Sequence, residues 1–391
     1  MGRRGLSSVL SFALAAWRRL RGYRDSLEVA GGLLVGNLFD TINMVVISMF
    51  SNYLVGQRGL LALYPQLSAL TGGLLLSLSS RAISHHVLGG AGPEVYLTGL
   101  AVSAASGIFL TTVFSTATSI ILGLEPIMMV PAALMTLFGV LLVLTLLTWI
   151  IIAMLLRLGV SPDNVMPAIL TSIVDMAVLI LAIVAFSMVS RMDGGIYLVA
   201  VVTFSLALAF SAAAYDFRLT IDTTFSNFAL QIVEMIAGVL LSATAPVLAA
   251  TGLLPVLPPL NKLAGSVAGS MASAATTSVS LYGHYLDLPS MISTLFKITV
   301  GAIPSALYIG VIGYVLASAG GGSVGPQIVF ATLLVSIVLS ILGSLIAWLL
   351  VVVSIRAGLD PDAVSMPLAT SLVDLLGVVF LSVVAWILLS T

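Results

Sequence analysis

The sequence predicts an all-α polytopic membrane protein of about eleven transmembrane helices, with two parallel five-helix repeats joined by one linking helix. Three observations lead there. The 391 residues are 60% hydrophobic and 7% charged, with a mean hydropathy of +1.22, more apolar surface than a water-soluble fold can hide. Apolar runs of membrane-spanning length recur along the whole chain. And two parts of the chain repeat each other.

Composition also excludes classes. A net charge of −1 argues against a nucleic-acid partner. No extended polar segment is present that would form a soluble domain. The absence of cysteine removes disulfides, thiolate metal sites and thiol catalysis.

Residues 1–26 place Arg3, Arg4, Arg18, Arg19, Arg21 and Arg24 around SVLSFALAAW. That pattern predicts a basic amphipathic helix lying on an anionic cytoplasmic leaflet. The expected spans are 27–51, 60–84, 94–123, 127–156, 163–190, 195–215, 229–252, 259–282, 290–318, 326–354 and 363–390. With the N-terminus inside, 11 of the 14 Lys and Arg fall on the cytoplasmic side, leaving only Arg58, Arg191 and Lys262 outside. The positive-inside rule favours this orientation in a cell membrane.

The repeat is explicit. RLGVSPDNVMPAILTSIVD at 157–175 matches RAGLDPDAVSMPLATSLVD at 356–374 at a constant offset of 199. YPQLSALTGGLLLSLSSRA, from Tyr64, matches LPPLNKLAGSVAGSMASAA, from Leu257, at an offset of 193. The first repeat therefore covers 27–190, the linking helix lies in 191–228, and the second repeat covers 229–391. Two odd-numbered units joined directly would insert in opposite orientations. The linking span makes them parallel, which predicts a pseudo-two-fold axis along the membrane normal and a pathway between the halves.

Ser161-Pro162-Asp163 and Asp360-Pro361-Asp362 read mainly as helix starts, with Pro at the first helical position. Asp175 lies 13 residues beyond Pro162, about 20 Å along a helix, and Asp374 has the same place in its half. Each heads a long uncharged run. An intramembrane carboxylate is costly, so a symmetric pair points to a site. Thr171 and Ser172, like Thr370 and Ser371, share a face with their carboxylate. With no Lys or Arg assigned beside them, the two aspartates need a cation or a shared proton.

Gly72-Gly73 and Gly265-Ser266 let backbones approach closely, which packing alone would explain. The functional reading is that they narrow the pathway and present oxygen atoms. Oxygen-only ligands suit a hard divalent ion, and Mg²⁺ keeps most of its waters. Asp40, beside Asn37, Thr41 and Asn43, is expected to break the symmetry, because the aligned second half has nothing acidic there. It is a candidate for a coupling ion. Glu234 reads as interfacial, His85, His86 and His284 as helix-end residues, and Lys262 as snorkelling outward.

These blocks, together with GNLFDT at 36–41, resemble the membrane domain of the MgtE magnesium-transporter family in its duplicated form. That form is similar to eukaryotic solute carriers described as Na⁺/Mg²⁺ exchangers. The resemblance implies a cation pathway between the halves, with Asp175 and Asp374 at the family's pore aspartate and Asp40 matching an acidic position of the solute carriers. It implies Mg²⁺ as the transported ion and Na⁺ as the candidate coupling ion. It also implies one chain acting as an internal pseudo-dimer where bacterial relatives dimerise. The family usually carries Asn at the positions of Gly73 and Ser266, so a side-chain amide is expected to be missing there. The N-terminal segment 1–26 is short for the cytosolic regulatory modules of bacterial relatives, so gating by that route is not expected.

The expected activity is transport of partly hydrated Mg²⁺, either Na⁺-coupled or through a passive channel, with other divalent cations as competing cargo. An intramembrane aspartyl protease also needs two aspartates. Its Y-D and G-x-G-D signatures are absent around Ile173-Val174-Asp175 and Leu372-Val373-Asp374. A small-solute symporter would need an organic binding signature, and none is evident.

Overall fold

The computed structural model describes residues 35–87, 93–158, 162–191, 205, 217–282, 288–319, 325–358 and 361–390. Among them every regular element is a helix: α1 (Val35–Met49), α2 (Ser51–Gly56), α3 (Arg58–Val87), α4 (Pro93–Leu122), α5 (Pro126–Arg157), α6 (Pro162–Val189), α7 (Phe217–Ala250), α8 (Leu257–Tyr282), α9 (Leu288–Ala319), α10 (Gln327–Arg356) and α11 (Pro361–Ser390). A short 3-10 turn, Leu254–Val256, leads into α8. The basic segment 1–26, most of the linking span 195–215, Ser161, Asp360 and His284 lie outside the described residues.

Eight of these helices are long and apolar enough to cross a membrane. Their outward faces stay apolar, with Phe225, Phe330, Trp386 and Phe296 about seven-tenths exposed or more, as a lipid-facing surface requires. In α8, Gly, Ser, Ala and Thr replace bulky side chains, and most of its described residues are buried. It is an interior helix, closely packed on α9, α10 and α11. α3 holds the corresponding position against α4, α5, α6 and α7.

Helix ends follow local chemistry. Pro126, Pro162 and Pro361 open α5, α6 and α11, where a missing N–H costs nothing. α4 ends at Gly123 with φ +66°, and Leu124 N–H closes on the Ser119 carbonyl at 2.8 Å. α7 ends the same way at Gly252, with φ +71° and Leu253 N–H on Leu248 at 2.8 Å. A left-handed residue after the last turn is the natural use of glycine.

The helix that carries the seventh expected span, 229–252, begins earlier than that span: α7 starts at Phe217, and its apolar part at Thr223. The stretch TIDTTFSNF is too polar to read as a span. Two of its polar side chains bond within the helix: Thr224 Oγ1 donates to the Thr220 carbonyl at 2.7 Å and Asn227 Nδ2 to the Thr223 carbonyl at 2.8 Å. Ser106 of α4 donates to the Thr220 carbonyl at 3.2 Å and ties this turn to the bundle.

α7 and α3 run against each other along one stripe each. Gly238 meets the Ala62 carbonyl, Gln231 Nε2 donates to the Gln66 carbonyl at 3.0 Å, and Asn227 faces Gly73. Gln66 in turn donates to the Ala62 carbonyl at 2.7 Å and to Thr118 of α4 at 3.0 Å. α7 also packs on α11, so it carries contacts from the first half of the chain to the second.

Candidate functional site

Four carboxylates, one ammonium and one phenol meet inside the bundle. Asp40 comes from α1, Asp175 from α6, Glu234 from α7, Asp374 from α11, Lys262 from α8 and Tyr64 from α3. Asp40 is 6% exposed, Glu234 0% and Tyr64 7%, whereas Asp175 and Asp374 remain partly accessible. Asp374 lies within electrostatic reach of Asp175, and the Tyr64 ring lies within reach of Asp40, Asp175 and Asp374. The accessible pair thus sits on the two repeated helices, α6 and α11, with a deeper acid behind each.

Each accessible aspartate is held by the Gly-rich helix of its own half. Ser68 Oγ of α3 donates to Asp175 Oδ1. Asn261 Nδ2 of α8 donates to the backbone carbonyl of Asp374 at 3.1 Å. Ser68 and Asn261 are themselves separated by the repeat offset of 193. Both were missed at the sequence level, although that shared position was a usable signal.

Three sequence expectations are corrected here. Lys262 does not snorkel outward: Nζ is 3.1 Å from Asp40 Oδ1, and the two side chains are only 11% and 8% exposed. The ammonium also lies within electrostatic reach of Asp175, so Asp175 does have a basic neighbour. The sequence did not reveal the partner on α1.

Glu234 is not interfacial. It lies 17 residues into α7, fully buried, and faces Ser371 and Asp374. No well-formed hydrogen bond closes on either carboxyl oxygen among the described residues, though the Ser371 hydroxyl and the Asp374 carboxyl lie within reach.

Asp40 does not stand alone either. It lies within hydrogen-bond reach of Ser172, as Glu234 does of Ser371, and those serines match at the repeat offset of 199. Glu234 follows Asp40 by 194 residues, one more than the nearby offset of 193. Glu234 is therefore the acidic counterpart that the alignment lacked. The asymmetry lies instead in Lys262, whose counterpart at offset 193 is Ala69.

The remaining candidates divide between the site and packing. Gly72 is buried against Val174 of α6, 4.0 Å from where a Cβ would sit, and Gly265 against Thr370 of α11, at 3.4 Å. Both face a neighbouring helix at ordinary van der Waals distance, with room for a Cβ. Thr370 Oγ1 donates to the Pro367 carbonyl at 2.8 Å. Ser266 accepts Ser270 Oγ on its carbonyl at 2.9 Å. Thr171 is half-buried on α6. Asn37 contributes its backbone carbonyl to Thr41 Oγ1 at 2.8 Å, and that hydroxyl meets Tyr308 Oη at 2.8 Å. Asn43 Nδ2 donates to Tyr64 Oη at 3.2 Å and fixes the phenol in the centre.

An amide is present at Gly73, contrary to expectation. Asn227 of α7 brings Oδ1 to 2.8 Å from where a Gly73 Cβ would stand. The missing side chain on α3 makes the room that the amide fills. In the second half the Asn261 amide lies against Gly377 of α11.

Among the described residues no three His, Cys, Asp or Glu side chains converge to cage a metal ion. What is present is a row of hard oxygen donors with a net acidic balance, suited to a cation that keeps its own water. Residues 257–384, from the start of α8 into α11, match the family model MgtE, divalent cation transporter. No curated protein and no solved structure matches the chain.

Proposed function

We propose, from the premise that residues 257–384 belong to the MgtE family of divalent cation transporters, that this chain carries partly hydrated Mg²⁺ across a cell membrane. The route runs between two pseudo-symmetric halves, with Asp175 and Asp374 as the ion-facing carboxylates. The observation that carries this is the pairing of two partly accessible aspartates on α6 and α11, each with a buried acid behind it. A hydrated Mg²⁺ needs only one or two carboxylates, which fits a site with no three-residue cage among the described residues.

In this reading Ser68 and Asn261 are positioning residues that hold the two aspartates at their place on the axis. Lys262 offsets one carboxylate, so the site is less acidic than its four acids suggest. The N-terminus is cytoplasmic, as the arginine distribution favours, and a single chain forms the whole route. Exchange for Na⁺ is the mode we infer: four carboxylates against one ammonium leave charge for another cation once a divalent ion is bound. An intramembrane aspartyl protease finds support neither in signature motifs nor in the family match.

Mg²⁺ flux into proteoliposomes, with and without an opposing Na⁺ gradient, tests this. Flux above empty liposomes that accelerates with the gradient supports exchange. Gradient-independent flux assigns a passive channel, and absence of Mg²⁺ flux sinks the transport reading.

A further inference from the structure

We propose that Glu234, Asp374, Ser371 and Asn261 form a second cation site, one that takes a hard monovalent metal ion such as Na⁺. The inference rests on the reading of Asp374 as a cation-facing carboxylate, and adds to it a site behind the pathway.

Glu234 is the starting point. Its side chain is fully buried, and no well-formed hydrogen bond closes on either carboxyl oxygen among the described residues, although Ser371 and Asp374 lie within reach. It faces a second carboxylate, Asp374, and the Ser371 hydroxyl. Two acids face to face with no basic group cost several kcal/mol each as ions, unless a cation or a shared proton lies between them; a shared proton would give no saturable Na⁺ response, which the test below reads. Asn261 Oδ1, against Gly377 one turn along α11, is also buried and unpartnered. Its Nδ2 is committed to the Asp374 carbonyl, so only acceptor capacity remains. Carboxylate, hydroxyl and amide oxygens make a hard-cation donor set.

The first half supplies the internal comparison. There Asp40, Ser172 and Asp175 repeat the arrangement of Glu234, Ser371 and Asp374, and the Lys262 ammonium lies 3.1 Å from Asp40. The protein itself puts a single positive charge against that acid pair. The residue equivalent to Lys262 is Ala69, so the Glu234 pair has no tethered charge and draws an exchangeable one. The tethered charge is monovalent. A monovalent ion is what matches it, and it balances the charge left once a divalent ion sits on the aspartates.

The test uses the purified full-length protein in lipid nanodiscs. Its thermal midpoint is followed as NaCl replaces choline chloride at fixed ionic strength without Mg²⁺, and then as MgCl₂ is added. The wild type is expected to be stabilised saturably by Na⁺ but not by choline. Glu234→Gln is expected to need at least tenfold more Na⁺, and Ser371→Ala several-fold more. The serine variant guards against a folding defect in the first. A Na⁺ response equal to that of choline in the wild type overturns the site, as does one unchanged in both variants. Loss of the Mg²⁺ response in Glu234→Gln, with Na⁺ retained, overturns the monovalent assignment. Asp175→Asn should keep the Na⁺ response; its Mg²⁺ response judges the pathway reading separately.

Discussion

Lys262 of α8 reaches Asp40 of α1 across 222 residues of sequence, with Nζ 3.1 Å from Oδ1 and both side chains nearly buried. The pair joins the first helix of one half to the Gly-rich helix of the other. Removing one member of a buried pair leaves the other uncompensated, at about 3–5 kcal/mol. Asp40→Asn and Lys262→Met should each lower stability by that order, and the double variant should lose far less than their sum. Denaturant unfolding in detergent measures the coupling; strictly additive losses would show that the pair is not a unit.

The contact of α3 with α7 makes a second prediction from glycine. A Cβ on Gly238 would collide with the Ala62 carbonyl, a backbone atom that cannot rotate away. Gly238→Ala should cost about 1–3 kcal/mol. At Gly72 the nearest atom is Val174 Cγ1 at 4.0 Å, so Gly72→Ala should be neutral or gain up to about 1 kcal/mol from helix propensity. The ranking is read from thermal unfolding, and a reversed order would contradict the packing described for these helices.

Tyr64 gives a third. Its hydroxyl accepts from Asn43 Nδ2 at 3.2 Å, and Asn43 Oδ1 is already without a partner among the described residues. Tyr64→Phe would leave a buried amide wholly unsatisfied, at about 1–3 kcal/mol. Asn43→Leu in the same background should recover part of that loss, and a further loss of similar size would argue against the cause given.

The helices were legible in the sequence because apolar length is a one-dimensional signal. So was the repeat, since Asp175 and Asp374 sit in nearly identical strings. The early start of α7 was not legible because Thr224 and Asn227 turn their polar groups onto the helix backbone, which composition cannot register. Gly72 and Gly265 were read as close-approach points, but the crowded glycines are Gly73, Gly238 and Gly377, and the sequence alone does not say which helix faces which. Lys262 and Glu234 were misread for a common reason. A charge within a span is judged by its partner, and the partners stand on α1 and α11, far away in the chain. Asp40 had its counterpart only one residue out of register, and the two share a serine neighbour in space rather than a motif in sequence.

The central claim is that Asp175 and Asp374 face the transported ion. Proteoliposomes carrying Asp175→Asn with Asp374→Asn, compared with wild type at matched protein density, test it by Mg²⁺ flux. Loss of flux to the level of empty liposomes, in a variant that still unfolds cooperatively, is the predicted result. Flux at the wild-type rate would contradict the carboxylate pathway.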